Sequence, residues 1–240
     1  MCIQRGGQTG QEPLNGYFKH PRDNTWRSMA GREDVVADPR AALHSLSAEW
    51  SSHADAGQIA SLLQFAELLI RWNQSINLTG ARSIGAVVTE HYPDAFALAK
   101  RLDRPARLVD VGSGGGLPAL PLALLRPGLV IRLCEPIAKK AAFLRTAIRE
   151  LKVSDRVALE TRRGEEIADE LAASGSPGFD VAVSRATFAP EDWLVLGRRL
   201  VRPGGRVFVL TVPATTMEGA TDIYANGTRA LIEVQGPPHV

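Results

Sequence analysis

The stretch Asp110–Pro121, with the sequence DVGSGGGLPALP, decides the fold of this 240-residue chain. It begins within the apolar run Arg107–Val111, which predicts a β-strand, and it leads into Leu117–Leu125, which predicts a helix. Glycine lets a ligand approach the main chain closely, and this loop carries glycine at Gly112, Gly114, Gly115 and Gly116. A glycine-rich turn between a strand and a helix is typical of nucleotide-binding α/β folds.

The segments after this loop alternate between apolar strands and helices. Further strands are predicted at Leu129–Glu135, Arg156–Thr161, Phe179–Arg185 and Arg206–Val212. Helices are predicted at Ala138–Leu151, Gly164–Ala173 and Glu191–Leu200. Near-continuous apolar strands between helices favour a parallel sheet that is covered on both faces, so the expected class is α/β with a doubly wound sheet. Arg229–Val234 is a candidate sixth strand, and no recognisable seventh follows.

Three regions are expected along the chain. Residues 1–55 are rich in glycine and polar side chains, which predicts a disordered or loosely attached extension. Residues 56–104 carry helical periods, beginning near Gln58 and again over Ile84–Lys100, which predict a helical cap. Residues 105–240 are expected to form the α/β core, and cap and core together make one globular domain.

Composition excludes several classes of protein. Hydrophobic residues make up 45% and charged residues 22%, which are ordinary globular values. No apolar run approaches the roughly 18 residues that a membrane-spanning helix needs, and the start lacks the apolar segment of a signal peptide. Cys2 and Cys134 cannot form a disulfide framework. A cytoplasmic protein with no membrane partner and no metal site is expected.

The charge pattern leaves two interpretations open. The formal net charge is only +2, yet residues 139–163 carry eight basic side chains against three acidic ones. Such a surface could contact phosphates, although charge alone favours an ordinary solvated helix face. The eight are Lys139, Lys140, Arg145, Arg149, Lys152, Arg156, Arg162 and Arg163.

The loop pattern favours one kind of ligand. A dinucleotide loop needs G-x-G-x-x-G/A, which this chain meets only from Gly114 to Ala119, with a proline inside. The better match is D-x-G-x-G-x-G beginning at Asp110, a pattern of S-adenosylmethionine sites. Glu135 ends the next strand, where an acid can accept hydrogen bonds from a ribose.

At this point the chain resembles a known family. Asp110–Pro121 looks like the cofactor loop of the bacterial small-subunit rRNA guanine-N7 methyltransferases, the RsmG or glucose-inhibited division protein B family. The similarity runs from about residue 60 to 212. Other stretches match in order: Trp72–Thr79 (WNQSINLT), His91 with Asp94, Lys139-Lys140 with Phe143-Leu144, Arg163–Glu166 and Ser184–Ala186.

The resemblance implies a class I methyltransferase, Rossmann-like fold with an N-terminal helical cap and S-adenosyl-L-methionine as cofactor. It implies cofactor contacts at Gly112, Leu117, Gly164, Glu165 and Arg185, to which the loop pattern adds Asp110, Gly114, Gly116 and Glu135. It also implies that Arg163 and Arg185 line the site where the nucleotide docks. Asn77 is a candidate for a hydrogen bond to a base edge, or else it caps a local turn.

The expected function is therefore methyl transfer to N7 of a guanine in small-subunit rRNA. The partner would be ribosomal RNA or the small ribosomal subunit, and a monomer is favoured. Thr211 stands where the family usually carries a lysine. The alternatives are a related methyltransferase for a small molecule or another RNA, and a non-catalytic relic of the fold. A nicotinamide dehydrogenase is the weakest alternative.

Overall fold

A computed structural model describes residues 38–211, 219–226 and 229–237 of the chain. Its helices are α1 (Pro39–Glu49), α2 (Ala56–Asn73), α3 (Ile84–Arg101), α4 (Ala119–Leu125), α5 (Ala138–Glu150), α6 (Gly164–Ser174) and α7 (Pro190–Leu200). Its strands are β1 (Ala106–Val111), β2 (Leu129–Cys134), β3 (Val157–Glu160), β4 (Phe179–Arg185), β5 (Val201–Thr211), β6 (Ala220–Asn226) and β7 (Arg229–Gln235). Within these residues, no helix has the length and apolar character needed to cross a membrane.

The strands form one mixed sheet in the order β3-β2-β1-β4-β5-β7-β6. β1 to β5 are parallel, whereas β7 pairs antiparallel with both β5 and β6. The expected α/β class with a mostly parallel, doubly wound sheet is confirmed. The chain runs outward from β1 to β3 and then returns to β4 on the other side of β1. The switch point between β1 and β4 is where open α/β sheets bind ligands, at the carboxyl ends of the strands.

Successive residues of a strand point to opposite faces of the sheet. Their side chains therefore pack alternately into two separate cores, one on each face. Leu108 packs in the core that also contains buried residues of α1 to α5, such as Phe65 and Phe143. Val109 packs in the second core, with Ile167 of α6 and Trp193 of α7. The sheet is therefore covered on both faces, which leaves the carboxyl edge of its strands as the place for a site.

Helix α1 corrects the expectation of a loosely attached extension over residues 38–55. The Asp38 side chain caps α1 by accepting hydrogen bonds from the backbone N–H groups of Arg40 (2.9 Å) and Ala41 (3.2 Å). Leu43 is fully buried and belongs to the first core. The stretch looks polar in sequence because only a narrow stripe of it is apolar, and that stripe is the face that packs. Residues 1–37 lie outside the described residues.

We expect Leu43→Ala to lower the free energy of unfolding by about 2–5 kcal/mol, since it leaves a cavity in a closed core. Denaturant titration of the full chain measures this loss. His44→Ala, at the exposed neighbouring position on the same helix, serves as the control and should change stability little. Equal stability of the two variants would show that α1 is not part of the cooperative fold.

The C-terminal hairpin corrects the expectation that a seventh strand is missing. β7 inserts between β5 and β6, with Arg206 opposite Gln235 and Thr211 opposite Ala230. Each of these two strands needs only seven residues, so the segment after β5 is long enough for both. Glu233 of β7 is buried and accepts hydrogen bonds from Arg101 at the end of α3, the shorter at 2.6 Å.

The Pro-Gly-Gly stretch lies within β5 rather than before it. Val201 is opposite Phe179 and Arg206 is opposite Val181, so four residues of β5 bulge against one residue of β4. The predicted fifth strand, Arg206–Val212, therefore began five residues too late. Its last residue, at position 212, lies outside the described part of the chain.

Candidate functional site

The glycine loop is fixed to the end of β2 and is open at one position. The backbone N–H groups of Gly112 and Ser113 both donate to the Cys134 carbonyl, at 2.9 and 3.1 Å. Gly114 has a φ of +53°, and a Cβ added there would find only the Gly112 carbonyl oxygen, 3.7 Å away. A Cβ on Gly116 would instead collide with Leu120. The loop therefore leaves space at Gly114 into which a ligand fits.

Glu135 fixes the same loop to the start of α5. Its side chain is buried, and its carboxylate accepts hydrogen bonds from the N–H groups of Gly114 and Ile137, both at 2.9 Å. Each carboxylate oxygen keeps further acceptor capacity, so a ribose hydroxyl could also donate to it. Binding of a ribose by Glu135 stays a prediction. The structure adds a second role, because the Glu135 carboxylate holds the glycine loop in place.

Asp110 is a buried carboxyl group with one oxygen that lacks a partner. The residue is 1% exposed, and its Oδ2 atom has no hydrogen-bond donor among the described residues. Burial raises the pKa of Asp110 to about 7, the Ser113 hydrogen bond and the Arg185 charge oppose this rise, and the Glu135 charge adds to it. A buried, unpartnered carboxylate next to an open glycine loop fits a cation such as S-adenosylmethionine, whose sulfonium and ammonium groups are positive.

The raised pKa of Asp110 predicts a pH dependence of both stability and ligand binding. A carboxyl group whose pKa is higher in the folded protein stabilises the fold at low pH, and this contribution is lost as the pH rises through about 7. Asp110→Asn should therefore raise the melting temperature relative to wild type by more at pH 8 than at pH 5, because the wild type loses stability progressively from pH 3.8 to about 7. Affinity for a cationic ligand should rise with pH through 7 in wild type and stay flat in Asp110→Asn. Calorimetry at several pH values measures both, and a flat wild-type profile would contradict the assignment.

Arg185, at the end of β4, meets two side chains of α3. Its Nη1 atom lies 3.2 Å from His91 Nδ1 and 3.5 Å from Asp94 Oδ2. Because a guanidinium group can only donate, His91 Nδ1 must accept, so its Nε2 carries the proton and donates to Thr79 Oγ1 at 2.6 Å. The cap thus holds the Arg185 side chain at the edge of the sheet through a buried carboxylate and an oriented imidazole.

Asn73, which was not among the predicted site residues, shapes the cap loop that follows α2. Its amide nitrogen donates to the carbonyls of Thr79 (2.9 Å) and Ala81 (3.2 Å), and its oxygen accepts from the N–H groups of Leu78 and Thr79. A Cβ on Gly115 would lie 3.0 Å from the Leu78 carbonyl oxygen, so this loop rests on the glycine loop. The only signal in the sequence was an amide inside the matching WNQSINLT stretch.

Asn77 does not join the other site residues. It is exposed in the loop after α2 and does not line the cleft beside Arg185. The structure therefore gives no support to Asn77 as a group that contacts a base, because the loop turns its neighbours Leu78 and Thr79 inward instead. Leu117, for which the resemblance implies a cofactor contact, is buried directly after the glycine loop.

The start of α6 lies against the end of β1. A Cβ on Gly164 would lie 2.6 Å from Val111 Cγ1, so only glycine permits this contact. The following residue, Glu165, and the preceding residue, Arg163, are both exposed beside it. Three predicted cofactor or nucleotide positions thus lie near the end of β1, at the edge that carries the glycine loop.

Within the part of the chain that the structure describes, the Arg163 side chain makes no ion pair. Its neighbour Arg162 pairs with Glu160 and Glu170. Lys139, Arg145 and Arg149 on α5 are also exposed and unpaired among the described residues. These cations are available to an anionic partner.

A cleft of about 440 Å³ opens beside Arg185. Residues of α3, β4, β5 and α7 line it, together with Thr79 of the cap loop and Ala230 of β7. Its polar lining residues include His91, Asp94 and Arg185, and its apolar ones include Val209, Leu210 and Trp193. In residues 38–211, 219–226 and 229–237, no cluster of His, Cys, Asp and Glu has the arrangement of a metal site. The cleft suits an organic substrate with polar edges.

Comparison with known proteins gives consistent relatives. The sequence profile of the family described as rRNA small subunit methyltransferase G (GidB) matches residues 58–224. A protein named ribosomal RNA small subunit methyltransferase G from Anaeromyxobacter sp. (strain Fw109-5) is 38% identical over 173 residues, 72% of this chain and 78% of that protein. Its namesake from Geobacter sp. (strain M21) is 34% identical over 190 residues, 78% of this chain and 85% of the relative.

Solved structures share the fold. An O-methyltransferase from Bacillus cereus in complex with SAH has a TM-score of 0.54 at 16% identity, covering 72% of this chain and 90% of that one. The O-methyltransferase TomG from Streptomyces achromogenes, in complex with SAM, has a TM-score of 0.52 at 20% identity, covering 73% and 89%. At these identities the likeness is one of fold, and it includes the mostly parallel sheet described above.

Proposed function

The chain belongs to the rRNA small subunit methyltransferase G family, and from this premise we propose that it methylates N7 of a guanine in the RNA of the small ribosomal subunit. A member of this family is an S-adenosylmethionine-dependent methyltransferase that acts on ribosomal RNA. Family membership does not specify the guanine, its N7 atom or the form of the RNA substrate, so these three points are part of the proposal.

The observation that carries the proposal is the meeting of three features at one edge of the sheet. They are the open glycine loop, the buried Asp110 carboxyl group with an unpartnered oxygen, and the cleft beside Arg185. The first two fit the cofactor, with Gly114, Glu135 and the start of α6 as further candidates to hold it. The third is adjacent to Arg185 and has room for a base.

The cofactor supplies a methyl group activated by a sulfonium. Guanine N7 has a free lone pair and no proton, so its methylation needs no general base. Positioning and electrostatics then account for catalysis. The polar groups of the cleft agree with this, because His91 is held between Arg185 and Thr79 as an orienting group. Arg185 would orient the base, and the exposed Arg163 would contact a phosphate.

The partner proposed is the small ribosomal subunit or its RNA, bound by a monomer. The exposed cations Arg163, Lys139, Arg145 and Arg149 support an RNA partner, since they are available to phosphates. Binding should therefore weaken as salt concentration rises. A ribosomal RNA substrate also supports the cytoplasmic location expected from the sequence.

The test is transfer of labelled methyl groups to small subunits and to bare rRNA from a strain that lacks this enzyme. We expect incorporation at one guanine, and chain cleavage there after borohydride and aniline treatment, which is the reaction of N7-methylguanosine. Label that resists this cleavage would exclude N7, and no label despite cofactor binding would exclude rRNA. Arg163→Ala should raise the KM for rRNA and reduce its salt dependence; an unchanged KM would favour a small-molecule substrate.

A further inference from the structure

We propose that the cleft beside Arg185 receives a purine base turned out of the RNA, and that Phe188 is the surface on which this base stacks. The inference rests on the proposed function, because it concerns the same site. It gives Phe188 a role in substrate binding that neither the loop pattern nor the family resemblance indicated.

The Phe188 ring packs against a buried aromatic side chain. It stacks on Trp193, with ring centroids 5.9 Å apart and planes inclined by 22°. Trp193 is only 2% exposed, and its indole N–H donates to the Phe208 carbonyl of β5 at 2.8 Å. Phe188 itself is only partly buried and lines the cleft of about 440 Å³. An aromatic ring that packs on a buried indole thus borders the same open space as Arg185.

This arrangement has the chemistry of a base-binding site. An enzyme that acts on a base in folded RNA must take the base out of its stack, and proteins hold such bases on aromatic rings. Among the described residues that line the cleft, His91 and Trp193 are buried, which leaves Phe188 as the aromatic ring that a base can contact. Arg185 adds N–H donors for the O6 atom of a guanine, which leaves the N7 lone pair free to accept the methyl group. Val209, Leu210 and Ala230 also line the cleft and add apolar surface that suits a flat ring.

The experiment compares Phe188→Leu, which keeps an apolar side chain but removes the ring, with Phe188→Tyr, which keeps the ring. Methyl transfer to rRNA and calorimetric affinity for the cofactor are measured for both, with Val195→Ala on the exposed side of α7 as a control. We expect Phe188→Leu to lower kcat/KM for rRNA by about 10- to 100-fold with unchanged cofactor affinity, since stacking on one base has roughly this effect. Phe188→Tyr and Val195→Ala should stay within about threefold of wild type, if base stacking is the role.

The outcomes separate this inference from the function on which it rests. If wild-type protein methylates rRNA and Phe188→Leu does so equally well, the stacking role is wrong while the function stands. Failure of Phe188→Tyr to retain activity, or loss of cofactor affinity in Phe188→Leu, would also overturn it, because either result indicates a packing role. If wild-type protein does not methylate rRNA at all, the proposed function and this inference fail together.

Discussion

Gly114→Val is expected to lower the affinity for S-adenosylmethionine by at least about 100-fold while the chain remains folded. The reason is steric, since the space above Gly114 is open in the protein and a Cβ there would occupy it. The loop around it is otherwise tightly packed, because Cβ atoms on Gly112 and Gly116 would collide with Thr187 and Leu120. Isothermal titration calorimetry with the cofactor measures the effect.

A matched control separates loss of binding from backbone strain. Gly175, at the end of α6, has a φ of +65° compared with +53° at Gly114, and a Cβ on it would meet no atom within 4 Å. Valine is strained at both positions by about 1–2 kcal/mol, so both variants should lose similar stability. Only Gly114→Val should lose the cofactor. Equal affinity in the two variants would mean that the loop is a structural turn and that the cofactor binds elsewhere.

Arg185→Ala is expected to lower methyl transfer to rRNA by about 100- to 1,000-fold, the usual effect of removing one preorganised donor from an active site. Arg185 is the charged group that β4 brings to the cleft, and the cap holds it through His91 and Asp94. Arg185→Lys should also be impaired, because an ammonium cannot reproduce the planar donors of a guanidinium. Single-turnover methyl transfer at saturating cofactor measures the effect.

Arg101→Ala controls for the loss of an ion pair. Removing Arg185 takes an arginine away from Asp94, which is 2% exposed, and removing Arg101 takes the nearer of two arginines away from Glu233, which is 4% exposed. Both variants should therefore be destabilised, but Arg101 lies outside the cleft and its loss should leave methyl transfer within a fewfold of wild type. If both variants lost activity in parallel with stability, Arg185 would have only a structural role.

The glycine loop and the strands around it were predictable from the sequence because their signals are local. β4 was predicted at its observed bounds, Phe179–Arg185, since an apolar run between turns is a strand whatever lies around it. Helix α1 was missed for the converse reason, because its apolar stripe is narrow and acquires meaning only from the core that accepts it. Strand β7 was a candidate in the sequence, whereas β6 was missed, because an antiparallel strand at the edge of a sheet carries a weaker pattern than a buried parallel one.

The sequence by itself determined the α/β fold, the loop that opens towards a ligand, and the position of Arg185 at the end of a strand. Only the tertiary structure decided that Arg185 is oriented by His91 and Asp94, more than ninety residues earlier in the chain, and that Phe188 stacks on Trp193 beside the cleft. Side-chain periodicity reports which face of an element is buried, but it carries no information about which element covers that face. The order of strands in the sheet, with β4 next to β1, supplies that information and assembles the site.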